Sequence, residues 1–131
     1  MSLSMIRLVF VTAGIYDFLL GLVFLIAGPW LFDATGVPPP NHWAYIQFIA
    51  LLLIIFGIMF FAVAYNPTAN HNLILYGMLL KLSYCGVVAY YSATSGCPTL
   101  FKPFAVIDAF MFVLFVMAYQ KRVAPASPPV P

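Results

Sequence analysis

Charge is what this chain has least of. Of 131 side chains only eight are formally charged, five Lys or Arg and three Asp. At 6% charged and 65% hydrophobic, it lies far from the roughly 25% charged residues of a soluble domain. A soluble fold this short could not bury that much apolar surface, so the solvent must be lipid. The net charge of +2 comes with no basic run beyond the pair Lys121-Arg122, which argues against a nucleic-acid partner. Cysteine is also scarce. Cys85 and Cys97 are twelve residues apart, and along a continuous helix that spacing approaches about 15 Å or more. A disulfide needs Cα atoms within about 7 Å, so no intrachain bond is expected. Site motifs are missing as well: no Cys-x-x-Cys, no glycine-rich phosphate loop, no His-Glu-x-x-His. The two histidines, His42 and His71, read as members of different loops, so no metal site is expected. No catalytic residue can be assigned, and the chain reads more readily as a non-enzyme.

What the chain has is four long apolar runs. They predict an all-α integral membrane protein, an antiparallel up-down-up-down bundle of four transmembrane helices over residues 1–122, followed by a flexible proline-rich tail at 123–131. The spans are expected at about 6–28, 43–65, 73–95 and 100–120. The opening run resembles a signal peptide, but it is too long, contains Asp17, and meets only the poor cleavage site Ala27-Gly28-Pro29. It reads as a retained span. Pro29 suits a helix start and Gly36 a helix stop, so residues 29–35 are expected to form a separate interfacial helix with Trp30 and Phe32 at headgroup depth. Pro38-Pro39-Pro40 is a stiff spacer. Asn66-Pro67 opens a tight turn, and Asn70 or Asn72 is the expected cap of the third helix.

Small residues recur at intervals of seven: Gly14, Gly21 and Gly28 in span one, and Ala50, Gly57 and Ala64 in span two. Each set forms a seam along which another helix backbone can approach, and the two seams could mate. Gln47 is expected to hydrogen-bond between helices. In span three Gly77, Lys81, Tyr84, Cys85 and Val88 share a face, and in span four Ala105, Asp108, Ala109, Phe112 and Val116 do.

Three of the eight charges, Asp17, Lys81 and Asp108, fall inside apolar spans. Each costs roughly 2.5–3.5 kcal/mol on insertion scales. At about 1.5 Å per residue their depths from the end carrying the termini are about 16, 12 and 17 Å. The three therefore lie within about one turn of each other, and mutual pairing is the economical arrangement. One lysine cannot neutralise two acids, and one carboxyl, Asp17, is expected to hold a proton. Tyr84 is expected to donate toward this polar centre, and Cys85 to be a small buried hydrophobe. Arg7, Lys121 and Arg122 against Lys102 predict both termini in the cytoplasm.

Ile6-Arg7-Leu8 and the run from Gly21 to Gly28 resemble the opening of the DoxX-like membrane proteins, small four-span proteins of which some are linked to thiol redox assemblies or act as membrane chaperones. Asn66-Pro67, Lys81-Leu82-Ser83-Tyr84-Cys85 and Asp108 resemble uncharacterised four-helix membrane proteins of bacteria, which implies the inner membrane. Neither resemblance supplies a catalytic residue. The leading expectation is a non-catalytic accessory or assembly subunit of a larger membrane complex, with the buried Asp-Lys-Asp cluster fixing helix register. Two alternatives stand beside it: a small oligomeric transporter or proton-linked carrier using those three residues, and a DoxX-like thiol redox component using Cys85 or Cys97. No cofactor is expected outright; the aromatic content leaves a bound lipid, quinone or pigment open. Partners are expected to be the bilayer and other membrane subunits or further copies of the chain.

Overall fold

The computed structural model describes residues 1–121. The expected tail at 123–131 and the contribution of Arg122 to the charge bias lie outside the described residues. Among those residues there are four α-helices and no strand: α1 Leu3–Thr35, α2 Ala44–Tyr65, α3 His71–Ala93 and α4 Phe101–Gln120. All four are long and apolar enough to cross a membrane. A helix satisfies its own backbone hydrogen bonds, which is what a long run of Leu, Ile, Phe and Ala requires where water is absent.

The first helix departs most from the sequence expectation. It does not stop at Gly28 with a new helix at Pro29; it continues to Thr35. Pro29 marks a kink instead. Its ring crowds the carbonyl one turn earlier and it has no N–H to bond there, and the strain appears at Ala27, whose φ/ψ of −118°/19° is non-helical. The helix ends at Gly36 in the left-handed region, φ 70°. The Gly36 N–H donates to the Asp33 carbonyl, and the Val37 N–H donates to Phe32 O at 2.9 Å, closing the helix in the manner of a glycine C-cap. At the other end the Ser2 hydroxyl accepts from the Met5 N–H at 3.2 Å, an N-cap.

The other connectors are short. His42 Nδ1 accepts from the Ala44 N–H at 3.1 Å, at the start of α2. In the turn before α3, Asn66 Oδ1 accepts from the Ala69 N–H at 3.1 Å and Asn70 Nδ2 donates to Ala62 O at 2.8 Å. Asn70 precedes α3 but makes no side-chain cap bond: its amide ties the turn back to α2. His71 belongs to α3 rather than to a loop. Its ring stacks on Tyr119 with centroids 4.7 Å apart, and Nε2 lies 2.7 Å from Tyr119 O, which fastens the start of α3 to the end of α4.

Helices α1 and α2 approach backbone to backbone, in reverse order along the chain. A Cβ on Gly57 would lie 2.8 Å from Phe18 N and 2.9 Å from Gly14 O, and one on Gly21 would lie 2.6 Å from Ala50 O. Gly28 is less crowded, with Trp43 ring atoms at 3.5 Å as its nearest neighbours. Ala64 is buried within the apolar core. Helices α3 and α4 form the second close pair. The two pairs meet mainly through side chains. Phe10 of α1, Phe60 of α2 and Phe115 of α4 are each 0% exposed and their ring centroids lie 4.5–5.9 Å apart. Gly77 of α3 completes this layer, since a Cβ there would meet Phe60 at 2.6 Å. The inward face of α4 is Asp108, Met111, Phe115 and Ala118; Ala109 is exposed and Phe112 and Val116 only half-buried. The expected face of α4 was thus rotated by about one residue from the observed one, which turns Met111 and Phe115 inward.

The apolar core runs from Ile6 and Ala118 to the Phe layer, so it occupies only the half of the bundle that carries both ends of the described chain.

Candidate functional site: a charged cluster at the floor of an internal cavity

About two turns beyond Phe10 along α1 comes Asp17, 1% exposed. Lys81, one turn beyond Gly77 on α3, is 0% exposed, and Asp108 on α4 is 7% exposed. Lys81 Nζ donates to Asp17 Oδ1 at 3.0 Å and to Oδ2 at 3.1 Å, and to Asp108 Oδ1 at 2.9 Å. The ammonium lies 5.4 Å from the Tyr16 ring centroid and 5.8 Å from that of Phe60, within the range at which a ring face attracts a cation. An ammonium has three donors; the two Asp17 oxygens lie too close together at Nζ to take one each and share a single N–H, and Asp108 takes a second. Both Asp17 oxygens are acceptors in these bonds. Asp108 Oδ2 makes no hydrogen bond among the described residues, so it is free to accept from a further donor.

Past the cluster, toward the connectors at 36–43 and 94–100, the bundle is hollow. A cavity of about 290 Å³ extends from Asp17 and Asp108 to Phe32 and Phe101. All four helices line it: Tyr16, Leu20 and Phe24 from α1, Ile46, Ala50 and Leu53 from α2, Leu80 and Tyr84 from α3, and Phe104 from α4. Edge-to-face contacts hold several of these rings, such as Phe24 against Phe104 and Phe32 against Phe101, with centroids 6.4 and 6.2 Å apart. Asp17 and Asp108 border the cavity; Lys81 does not. The lysine stands behind the two acids, on the side of the packed core. The Tyr16 hydroxyl, in the same wall, is buried without a hydrogen-bond partner among the described residues.

The remaining sequence-selected residues separate from this site. Tyr84 lines the cavity, but its hydroxyl donates to Phe101 O at 2.8 Å, away from the charges. Cys85 donates to Ala105 O at 3.3 Å, a local tie between α3 and α4. Gln47 is exposed on the outside of α2 and makes no side-chain hydrogen bond among the described residues. Phe32 is 4% exposed and packs on Trp43 at 5.2 Å, so it is an inner wall residue, whereas Trp30 is 67% exposed. Cys97 lies apart, in a cleft of about 350 Å³ with Tyr91 and Pro98. Among the described residues no group of three His, Cys, Asp or Glu is placed to hold a metal ion.

The cavity walls were not foreseen. Leu53, Phe24 and Phe104 carry no mark in the sequence that separates a cavity lining from a lipid contact; Tyr16, next to an intramembrane acid, was the one available hint. Comparison with family models, with curated proteins and with solved structures finds no match to this chain.

Proposed function

We propose that this chain is an integral membrane protein, an up-down-up-down bundle of four transmembrane helices, that takes a lipophilic small molecule into the hollow half of the bundle. The cavity floored by Asp17 and Asp108 carries this reading. Small-molecule sites are concave, apolar, and supplied with a few placed polar groups, and ionisable residues within spans mark such sites by default. A purely register-setting ion pair needs no open space beside it. Here both acids border open space and Asp108 Oδ2 is unbonded. Arg7 and Lys121, with Arg122 next in the sequence, support a cytoplasmic location for both termini, so the cavity lies in the outer half of the membrane. The resemblance to bacterial four-span proteins makes the inner membrane the setting.

Native mass spectrometry of protein taken from membranes in mild detergent tests the proposal. Wild type should carry a stoichiometric small-molecule adduct, and Leu53→Trp, which fills the cavity, should lose it. Wild type without an adduct, or an adduct that survives Leu53→Trp, refutes the reading.

A second role, as accessory or assembly subunit, is favoured by the outer face of α3. Ser83 and Gly86 are exposed there, and a Cβ on Gly86 would meet nothing within 4 Å, which leaves room for another helix to approach closely. Blue-native electrophoresis with crosslinking tests this role; a lone monomer in gentle extracts counts against it.

A further inference from the structure

We infer that the ligand of this cavity is a lipophilic amine, its ammonium seated on Asp108 Oδ2 and its apolar body among the rings of the hollow half. The inference rests on the binding reading above and names the class of molecule bound.

The first argument is the charge the cavity presents. With all three groups charged, Asp17, Lys81 and Asp108 sum to −1. The acids border the cavity and the lysine is screened behind them. An anionic lipid or fatty acid would meet carboxylates across apolar walls, where repulsion is little screened. With a neutral molecule bound, the excess negative charge has to be removed by a proton on one of the carboxyls. A single cation balances it.

The second argument is the count of donors and acceptors. A quinone or carbonyl pigment needs donors, and Lys81, whose bonds go to the two acids, does not line the cavity. The Tyr84 hydroxyl is spent on Phe101 O, and the only unpartnered buried side-chain donor among the described residues is the Tyr16 hydroxyl. What the floor has in surplus is an acceptor. Asp108 Oδ2 is unbonded and the Asp108 side chain is 10% exposed, against 1% for Asp17, so it is the carboxylate that can be reached. A charge-assisted hydrogen bond from an ammonium N–H fits that accessible acceptor.

The third argument is size and wall chemistry. An apolar cavity of about 150 Å³ accepts benzene; one of about 290 Å³ holds a ring and a short alkyl arm. Tyr16 and Phe104 line the cavity with Asp108, and a cation held within about 6 Å of such rings gains from their quadrupoles.

The experiment is titration calorimetry on protein in nanodiscs, with empty nanodiscs as the blank, using phenylbutylammonium and its neutral isostere phenylbutanol. The ammonium probe should saturate one site and bind at least about tenfold tighter than the alcohol, the equivalent of one charge-assisted hydrogen bond. Asp108→Asn should weaken the ammonium probe by at least about tenfold while leaving the alcohol unchanged, and Asp108→Glu should restore ammonium binding to within about threefold, since charge and acceptor return. Equal binding of the two probes, with Asp108→Asn indifferent, overturns the amine and leaves the binding reading intact. So does a wild-type protein that binds neither probe yet keeps its co-purified adduct. Loss of the adduct and of both probes together removes the binding reading as well.

Discussion

Replacing Lys81 by methionine tests the charged cluster most directly. Methionine matches the length of the aliphatic stem, so packing is nearly kept and the charge is lost. Each Lys–Asp attraction, at about 3 Å and an effective dielectric of about 20, is worth about 5–6 kcal/mol. Both acids are bonded to one nitrogen, at 3.0 and 2.9 Å, so they lie at most about 6 Å apart, and their repulsion is about 3 kcal/mol on the same scale. Removal of the lysine forfeits both attractions and keeps the repulsion. Relief of the lysine's own desolvation returns part of this, and breaking a buried pair by deleting one partner generally costs about 3–5 kcal/mol. Lys81→Met is expected to destabilise by that amount. The acids should behave differently from each other. Asp108→Asn leaves Lys81 bonded to both Asp17 oxygens, a neutral and buried pair, and should cost less than about 1 kcal/mol. Asp17→Asn leaves only the single contact to Asp108 and should cost more than Asp108→Asn. The triple variant Asp17→Asn, Lys81→Met, Asp108→Asn carries no buried charge and should return to near wild-type stability, because neutral replacements of buried ion pairs are often harmless. Thermal and chemical unfolding in detergent, followed by circular dichroism, gives the order of the variants. Lys81→Met melting with wild type, or the triple variant melting no higher than Lys81→Met, would refute the reasoning.

Three further outcomes are expected. Gly21→Leu and Gly57→Leu should each lower yield and melting temperature, because the added Cβ would meet backbone atoms at 2.6 and 2.8 Å, whereas Gly86→Leu, with nothing within 4 Å, should leave a monomeric preparation unchanged; equal behaviour of the three in thermal unfolding would dispose of the close α1–α2 contact. Phe115→Ala should cost about 3–5 kcal/mol as a fully buried ring is lost from the packed half, and Phe104→Ala, beside existing empty space, clearly less; chemical denaturation of the pair decides. For topology, a cysteine placed at Ser2 should react only with membrane-permeant thiol reagents and Cys97 with impermeant ones, and the reverse pattern in intact cells would overturn the assignment from Lys and Arg counts.

The helices were legible because each is a long apolar run, and lipid-compatible backbone has little choice but to be helical. Their ends were less so. Pro29 reads equally well as the first residue of a helix or as a kink within one, and only the packing of Phe32 against Trp43 and Phe101 draws residues 29–35 into a continuation of α1. The meeting of Asp17, Lys81 and Asp108 could be read from depth alone, since rise per residue is fixed. Which acid keeps a free oxygen could not, because that depends on how one ammonium is shared between two neighbouring carboxylates. The void was illegible for a further reason. Apolar side chains facing lipid, core or cavity are chemically alike, and in this chain the faces of α2 and α4 have no polar alternation to tell them apart.

The position of the charges follows from the way the two helix pairs meet. Glycine lets α1 and α2 close backbone to backbone, and hydrogen bonds tie α3 to α4 from His71 to Tyr84. Across the pairs only side chains set the spacing. In the half with the termini, Phe10, Phe60 and Phe115 are large enough to fill it, with Gly77 admitting the edge of a ring. In the other half the rings pack against one another along the wall, as Phe24, Phe32, Phe101 and Phe104 do, and leave the middle empty. An empty apolar middle gives nothing to hold the pairs in register, while van der Waals contact in the packed half is tolerant of sliding along the axis. Hydrogen bonds under about 3.1 Å from one ammonium to two helices are not tolerant of it. The cluster therefore sits where register would otherwise be weakest, at the boundary between filled and hollow halves, and one arrangement serves two ends: the lysine faces the core and locks α1 to α3 and α4, and the acids, drawn to it, turn their remaining capacity toward the cavity.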